Sequence, residues 1–182
     1  MARIYMVRHG KAASGWGDDL DPGLDAVGQA QAEAVAETLA PLGPLDVLTS
    51  PLKRTQETAA PLAARWGVTP VIAEAVAEIP SPTKSLAERK AWLMKAMSGS
   101  FADLDQDYRD WRDGVIAFVR SLETDTVIFS HFIAINVLVN YVEGSDRLVT
   151  FAPDNCSVSI FDLDGTALSL VEKGQEAKTE IR

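Results

Sequence analysis

The sequence predicts an α/β domain built on a mostly parallel central sheet, and three observations carry that prediction. Short strand-like segments recur at residues 4–7, 45–48 and 126–129, the first and last of them apolar. Each stops abruptly in a polar loop, as strands do where an open α/β sheet presents its chemistry. Between them lie segments whose apolar residues return at helical spacing. At 182 residues and 47% hydrophobic, the chain is long enough for one domain with a full core and too short for two comfortable ones.

Taken in order, residues 4–7 read as a buried strand that opens at Arg8-His9-Gly10. From 25 to 39, Val27, Ala30, Ala34, Val35, Thr38 and Leu39 recur at helical spacing with Gln29, Gln31, Glu33 and Glu37 between them, and Pro41 and Gly43 end the helix. Residues 45–48 form a second strand that runs into Thr49-Ser50-Pro51. There Ser50 is expected as the N-cap and Pro51 as the first residue of a helix carrying Arg54 near its start. Residues 68–72 are a third strand, and Pro80 and Pro82 forbid regular structure after Glu78. Residues 86–122 read as two helices broken near Ser98-Gly99-Ser100, so that about 79–122 forms a helical cap insertion within a single domain spanning 1–182. Residues 125–130 contain a continuous apolar run expected of a central parallel strand, ending at Ser130-His131 and followed by an apolar helix over 133–142. Residues 157–170 alternate as a hairpin with its turn at Asp164-Gly165.

A formal charge of −9 without any Lys/Arg-rich run argues against nucleic acid or an anionic membrane as the partner. An anionic substrate would then need a local basic pocket. The single Cys156 makes neither an intramolecular disulfide nor a multi-thiolate metal site, which points to a reducing, cytoplasmic setting. The apolar run before Arg8 is too short for a signal peptide, and no segment approaches the ~20 apolar residues that span a bilayer.

Two histidines occur in the chain, and each directly follows a strand-like run. A histidine taken singly is more often a surface or structural residue. Placing both at the C-terminal edge of one parallel sheet would bring His9 and His131 to a shared crevice. Arg8-His9-Gly10 supplies a cation, a nucleophilic nitrogen and a residue without Cβ where a ligand can approach the backbone. Arg54 adds a second planar fork suited to a phosphate dianion, close to a helix start whose dipole also favours an anion.

These residues fall in a longer ordered set: Arg8-His9-Gly10, residues 21–30, residues 50–58, Val76-Ala77-Glu78-Ile79, Ser130-His131 and Asn155-Cys156-Ser157-Val158. In that order, from about 3 to 162, the chain resembles the histidine phosphatase superfamily, the phosphoglycerate mutase-like family. The resemblance implies a three-layer α/β/α fold without cofactor or catalytic metal, with His9 as nucleophile and phosphoryl carrier. It further implies Arg8, Arg54 and His131 as phosphate ligands and Glu78 as proton donor. The expected activity is hydrolysis of a phosphomonoester, from a small phosphorylated molecule or a phosphoprotein. Transfer as in a mutase, or a silent scaffold of the same fold, are the alternatives.

Three stretches depart from the family pattern. Lys11-Ala12-Ala13-Ser14-Gly15-Trp16 replaces the acidic, hydroxyl and asparagine residues common after Arg-His-Gly and is similar to the short bacterial phosphohistidine phosphatases; Trp16 is a candidate for the pocket mouth. Phe132-Ile133 stands where glycines are usual, and Ile79-Pro80-Ser81-Pro82 replaces a glycine- and tryptophan-containing stretch typical of mutases. A possible second basic cluster comprises Lys84, Arg89 and Lys90. Phe161-Asp162-Leu163-Asp164-Gly165-Thr166 matches the aspartyl-phosphate motif of haloacid dehalogenase-like phosphatases, but it lies near the C-terminus with only 16 residues after it, and a hairpin turn accounts for it better. Trp92 and Trp111 are expected to pack within the helical section, and Cys156 to behave as a small hydrophobe.

Overall fold

The computed structural model describes residues 1–14, 19–83 and 85–178. β1 (Ala2–Arg8) runs through the centre, with Ile4 and Met6 turned to one core and Tyr5 and Val7 to the other. A strand covered on both faces has no polar side to show, which is why it reads as an unbroken apolar run. β1 lies parallel to β4 (Thr126–Ser130), β4 to β2 (Asp46–Thr49), and β2 to the short β3 (Val71–Ile72). On its other side β1 pairs antiparallel with β5 (Val158–Asp164), which pairs antiparallel with β6 (Ala167–Glu172). The order β3-β2-β4-β1-β5-β6 is a mostly parallel sheet with an antiparallel hairpin added at one side.

α1 (Ala26–Leu39) and α2 (Lys53–Trp66) cover one face, closing on Tyr5, Val7, Val127 and Phe129. α3 (Leu86–Met97), α4 (Gln106–Arg120) and α5 (Phe132–Glu143) belong to the other, so the layers are α/β/α. α5 has nine buried residues, many of them β-branched and poor helix formers. Burying a Val, Leu or Ile side chain contributes about 1.5–3 kcal/mol, which outweighs a propensity cost of a few tenths each. Packing therefore holds α5 and fixes its N-terminus beneath His131. Within residues 79–122, α4 buries Val115, Ile116 and Val119 in the main core, whereas α3 buries only Leu93 and Ala96 and overhangs the crevice.

Some boundaries differ from those the sequence predicts. α2 starts at Lys53 with Leu52 at its cap and no side-chain capping bond, so Ser50 is not its N-cap. β3 shrinks from the expected 68–72 to two residues because the Val68 N–H is spent on the Ala63 carbonyl after the left-handed Gly67 (φ +65°), and Pro70 has no N–H to give. In the hairpin Asp164 still pairs with Ala167, so the turn falls one residue later, on Gly165-Thr166, with Gly165 at φ +62°. Among the described residues no helix is long and apolar enough to cross a membrane.

Candidate active site

His9 follows β1 directly, and its backbone is fixed from three sides. Its N–H donates to the Ser130 carbonyl (3.1 Å), its carbonyl accepts from Asn155 Nδ2 (3.0 Å), and the next N–H, of Gly10, donates to Thr58 Oγ1 (3.0 Å). Gly10 is required here, since a Cβ would lie 2.7 Å from the Gly28 carbonyl oxygen of α1. The ring is 5% exposed, and its Nδ1 lies 2.7 Å from the Gly10 carbonyl, which can only accept. Nδ1 therefore carries the proton and Nε2 keeps its lone pair, to which Arg54 Nε donates at 3.2 Å. Burial, reinforced by the charges of Arg8 and Arg54, brings the imidazole pKa down to about 3, so His9 is neutral at physiological pH.

Arg54, the second residue of α2, is 3% exposed. Arg8 anchors one terminal nitrogen on the Pro153 carbonyl (2.9 Å) and lays its guanidinium 5.1 Å from the Phe132 ring centroid. The phenylalanine in place of the usual glycine thus becomes an apolar and cation–π support for Arg8. Burial works against both guanidinium charges and the nearby Glu78 carboxyl works for them. His131 is fully buried at the N-cap of α5, its ring centroid 5.3 Å from that of His9. Its Nε2 is held by Ser50 Oγ (2.8 Å), which also meets Thr55 Oγ1 (2.7 Å). Burial, then His9, Arg54 and Arg8, keep His131 neutral as well.

Glu78 reaches the same region from the segment after β3, which Ser130 Oγ ties down by donating to the Val76 carbonyl. Its carboxyl accepts from the N–H groups of Ile133 (3.0 Å) and Ala134 (3.1 Å) at the N-terminus of α5 and from that of the adjacent Ile79 (3.2 Å). Desolvation raises its pKa above the ordinary carboxylate value, against those three donors and Arg54. Glu78 and Arg54 share a small cavity.

Four buried side-chain polar atoms among the described residues lack a partner, and two of them, Arg8 Nε and His131 Nδ1, belong to this cluster. Buried polar atoms are overwhelmingly paired, so two orphans among these residues mark groups left free for a ligand. A crevice of about 570 Å³ opens over Arg8, His9 and Arg54 and is bordered by Leu20, Asn155 and the α3 residues Arg89 and Lys90. Lys11 also lines it but is paired with Asp25 (3.2 Å). Trp16 and Lys84 lie outside the described residues.

The five residues singled out in the sequence thus gather at one sheet edge. Sequence reasoning missed the true role of Ser50, whose position before Pro51 reads as a helix cap although its hydroxyl serves His131. Asp162 of the haloacid dehalogenase-like motif is paired with Arg3 (2.9 Å), and neither it nor Asp164 lines the crevice. Trp92 packs on Tyr108 and Trp111 on Phe101. Cys156, at φ +57°, has its thiol pushed up to about 12 by burial.

An α/β/α sheet protein with a neutral histidine at the end of its first strand, ringed by two arginines and a second histidine, is built to receive an anion. The chain belongs to the histidine phosphatase superfamily (branch 1), whose pattern matches residues 4–175. It is 48% identical to Rv0525 of Mycobacterium tuberculosis over 67 residues, which make up 35% of this chain. The match spans about a third (33%) of that relative's length. Its fold is shared with Bacillus stearothermophilus YhfR (TM-score 0.79, 17% identity, 97% of this chain and 98% of that one). It is also shared with mycobacterial glucosyl-3-phosphoglycerate phosphatase Rv2419c in complex with VO3 (TM-score 0.73, 19% identity, 99% and 100%).

Proposed function

We propose that the chain is a metal-independent phosphomonoester hydrolase that works through a phosphohistidine on His9. The observation that carries this reading is the fixed tautomer: the Gly10 carbonyl holds the Nδ1 proton and leaves the Nε2 lone pair facing Arg54 in a buried cationic site. In this reading Arg8, Arg54 and His131 bind the phosphoryl oxygens, and their charges and N–H groups stabilise the transition state without reorganisation. His9 Nε2 attacks phosphorus in line, the P–O ester bond breaks, and the departing alkoxide takes the proton of Glu78. Such a positioned acid contributes ~10²–10⁴-fold. The Glu78 carboxylate then accepts a proton from water, whose oxygen attacks phosphorus as the P–N bond breaks, and His9 returns to its neutral form. The lone Cys156 suits a cytoplasmic setting.

The test is hydrolysis of an aryl phosphate in excess EDTA by the unaltered chain and by His9→Ala, with quenching in alkaline detergent to trap a phosphoenzyme that is stable to base and labile to acid. Turnover that survives the chelator and is lost with His9, together with a phosphoenzyme absent from the variant, is expected. Turnover that requires Mg²⁺ and ignores His9 would refute the proposal.

A further inference from the structure

We infer that Asp21 is a positioning residue of the phosphate pocket: it caps α2 in place of Ser50 and so leaves the Ser50 hydroxyl free to hold His131. Its effect on catalysis rests on the reading of the His9 pocket given above. α2 carries Arg54 into that pocket, yet it begins with Leu52 at the N-cap position and no side-chain cap of its own. A helix start leaves N–H groups without partners, and a serine just before it is an ordinary acceptor for them. Here Ser50 is otherwise engaged. Its fully buried hydroxyl meets His131 Nε2 at 2.8 Å and Thr55 Oγ1 at 2.7 Å, and it reaches the Leu52 N–H only at 3.3 Å. The N–H of Lys53, the first residue of α2, donates instead to Asp21 Oδ1 at 2.9 Å, across 32 positions of sequence.

The loop that presents Asp21 is held for this task from several sides. The Asp21 N–H donates to Asp19 Oδ1 (3.1 Å), and the Leu24 N–H donates to Glu57 Oε2 of α2 (3.1 Å). Leu24 also bridges Ala12, and the Ala13 N–H closes the loop on the Gly23 carbonyl (2.8 Å), just beyond the residues that fix His9. Asp19, Leu20 and Pro22 of this loop line the crevice, so Asp21 ties the crevice wall to the helix that carries Arg54. A carboxylate at the positive end of a helix is favourable in itself. Against the burial that lowers the Arg54 pKa, its charge works for the guanidinium, as that of Glu78 does more strongly. Without Asp21, the start of α2 draws on Ser50 Oγ, the side-chain acceptor already in reach of its cap residue. A turn of that hydroxyl towards the helix takes it from His131, whose buried Nε2 then loses its partner.

The chain has two histidines, so NMR with isotope-labelled histidine reports His9 and His131 alone, and His9→Asn assigns the pair. This reads the contact between Ser50 and His131 without turnover. In Asp21→Ala the ring nitrogens of His131 should move at least halfway to their positions in Ser50→Ala. In Asp21→Asn, which keeps the Oδ1 acceptor and caps a helix as well as aspartate does, they should stay in place. For an aryl phosphate, kcat should fall at least fivefold in Asp21→Ala and stay within twofold in Asp21→Asn. The Ser50→Ala, Asp21→Ala double variant should lie within twofold of Ser50→Ala, because the second change removes what the first has already lost. Unmoved His131 signals in Asp21→Ala, or losses that multiply in the double variant, would overturn the assignment and leave Asp21 as a cap that shifts only the urea midpoint. The expected shifts in a chain without any His9-dependent turnover would leave the role of Asp21 standing and sink the hydrolase reading.

Discussion

Holding two histidines neutral in a buried cationic site should make the empty protein unusually sensitive to mild acid. In the unfolded chain each imidazole titrates near the ordinary value of about 6.5. In the native chain His9 does so only at about 3 and His131 well below its usual value, chiefly through burial. Both folded pKa values are depressed, so between these limits the unfolded state binds protons that the native state refuses. The stability they permit is fully present above about pH 6.5 and is lost as pH falls. The slope is about 1.4 kcal/mol per pH unit for His9, and His131 steepens it. Glu78 opposes this, because its raised pKa lets the native state take a proton earlier than the unfolded chain does. Two pH units below 6.5 His9 alone would cost about 3 kcal/mol and His131 adds to that loss, a large part of the whole stability of many domains. Urea denaturation at pH 7.5, 6.5, 5.5 and 4.5 in phosphate-free buffer measures the slope, and His9→Asn should flatten it by about 1.4 kcal/mol per unit. Identical slopes in the two proteins, or stability that rises towards pH 5, would refute the claim that the pocket excludes the proton.

Two substitutions test the local architecture. Ser50→Ala leaves the Nε2 of a fully buried His131 without its partner, so a loss of about 1–3 kcal/mol in urea denaturation is expected. If Ser50 orients His131, kcat should fall by more than KM rises; an unchanged kcat would reduce it to a packing residue. Gly28→Ala sets a helix-propensity gain of about 1 kcal/mol against a Cβ that would collide with the Lys11 carbonyl oxygen. Backbone must shift to admit it, at about 1–3 kcal/mol or more, so the urea midpoint should drop and aryl phosphate turnover fall with it, as the loop carrying His9 moves. A raised midpoint would show that the loop yields freely.

How much of this was legible in the sequence depends on whether a residue's role is set locally. β1, β4 and the residues that follow them were readable because a doubly covered strand must be apolar throughout and must end where polar chemistry begins. Asp25, which the sequence reading did not single out, caps α1 by short-range rules, its Oδ1 accepting from the Gly28 N–H at 2.8 Å. Ser50 obeys the same local rules and was misread, because its partner His131 is 81 positions away and only the sheet register brings them together. The orphaned Nε of Arg8 and Nδ1 of His131 are likewise properties of packing that no spacing announces.

The position of Glu78 sets two requirements against each other, and the balance predicts its pH behaviour. Two N–H donors at the start of α5, the neighbouring Ile79 N–H and the Arg54 charge favour the carboxylate, whereas a general acid must arrive protonated. Desolvation already carries the pKa upward in the empty site. A phosphate dianion bound to Arg54 would neutralise that opposing charge and add a repulsion of its own, raising the pKa further. Activity that depends on the protonated carboxyl falls as pH rises through its pKa. The alkaline limb of kcat, which reports the occupied site, should therefore lie at higher pH than that of kcat/KM, which reports the empty one. Glu78→Gln should remove the limb from both profiles and slow esters with poor leaving groups far more than aryl phosphates. Coincident limbs in the unaltered chain, or a limb that survives Glu78→Gln, would move the proton to another group and leave Glu78 as an anchor for α5.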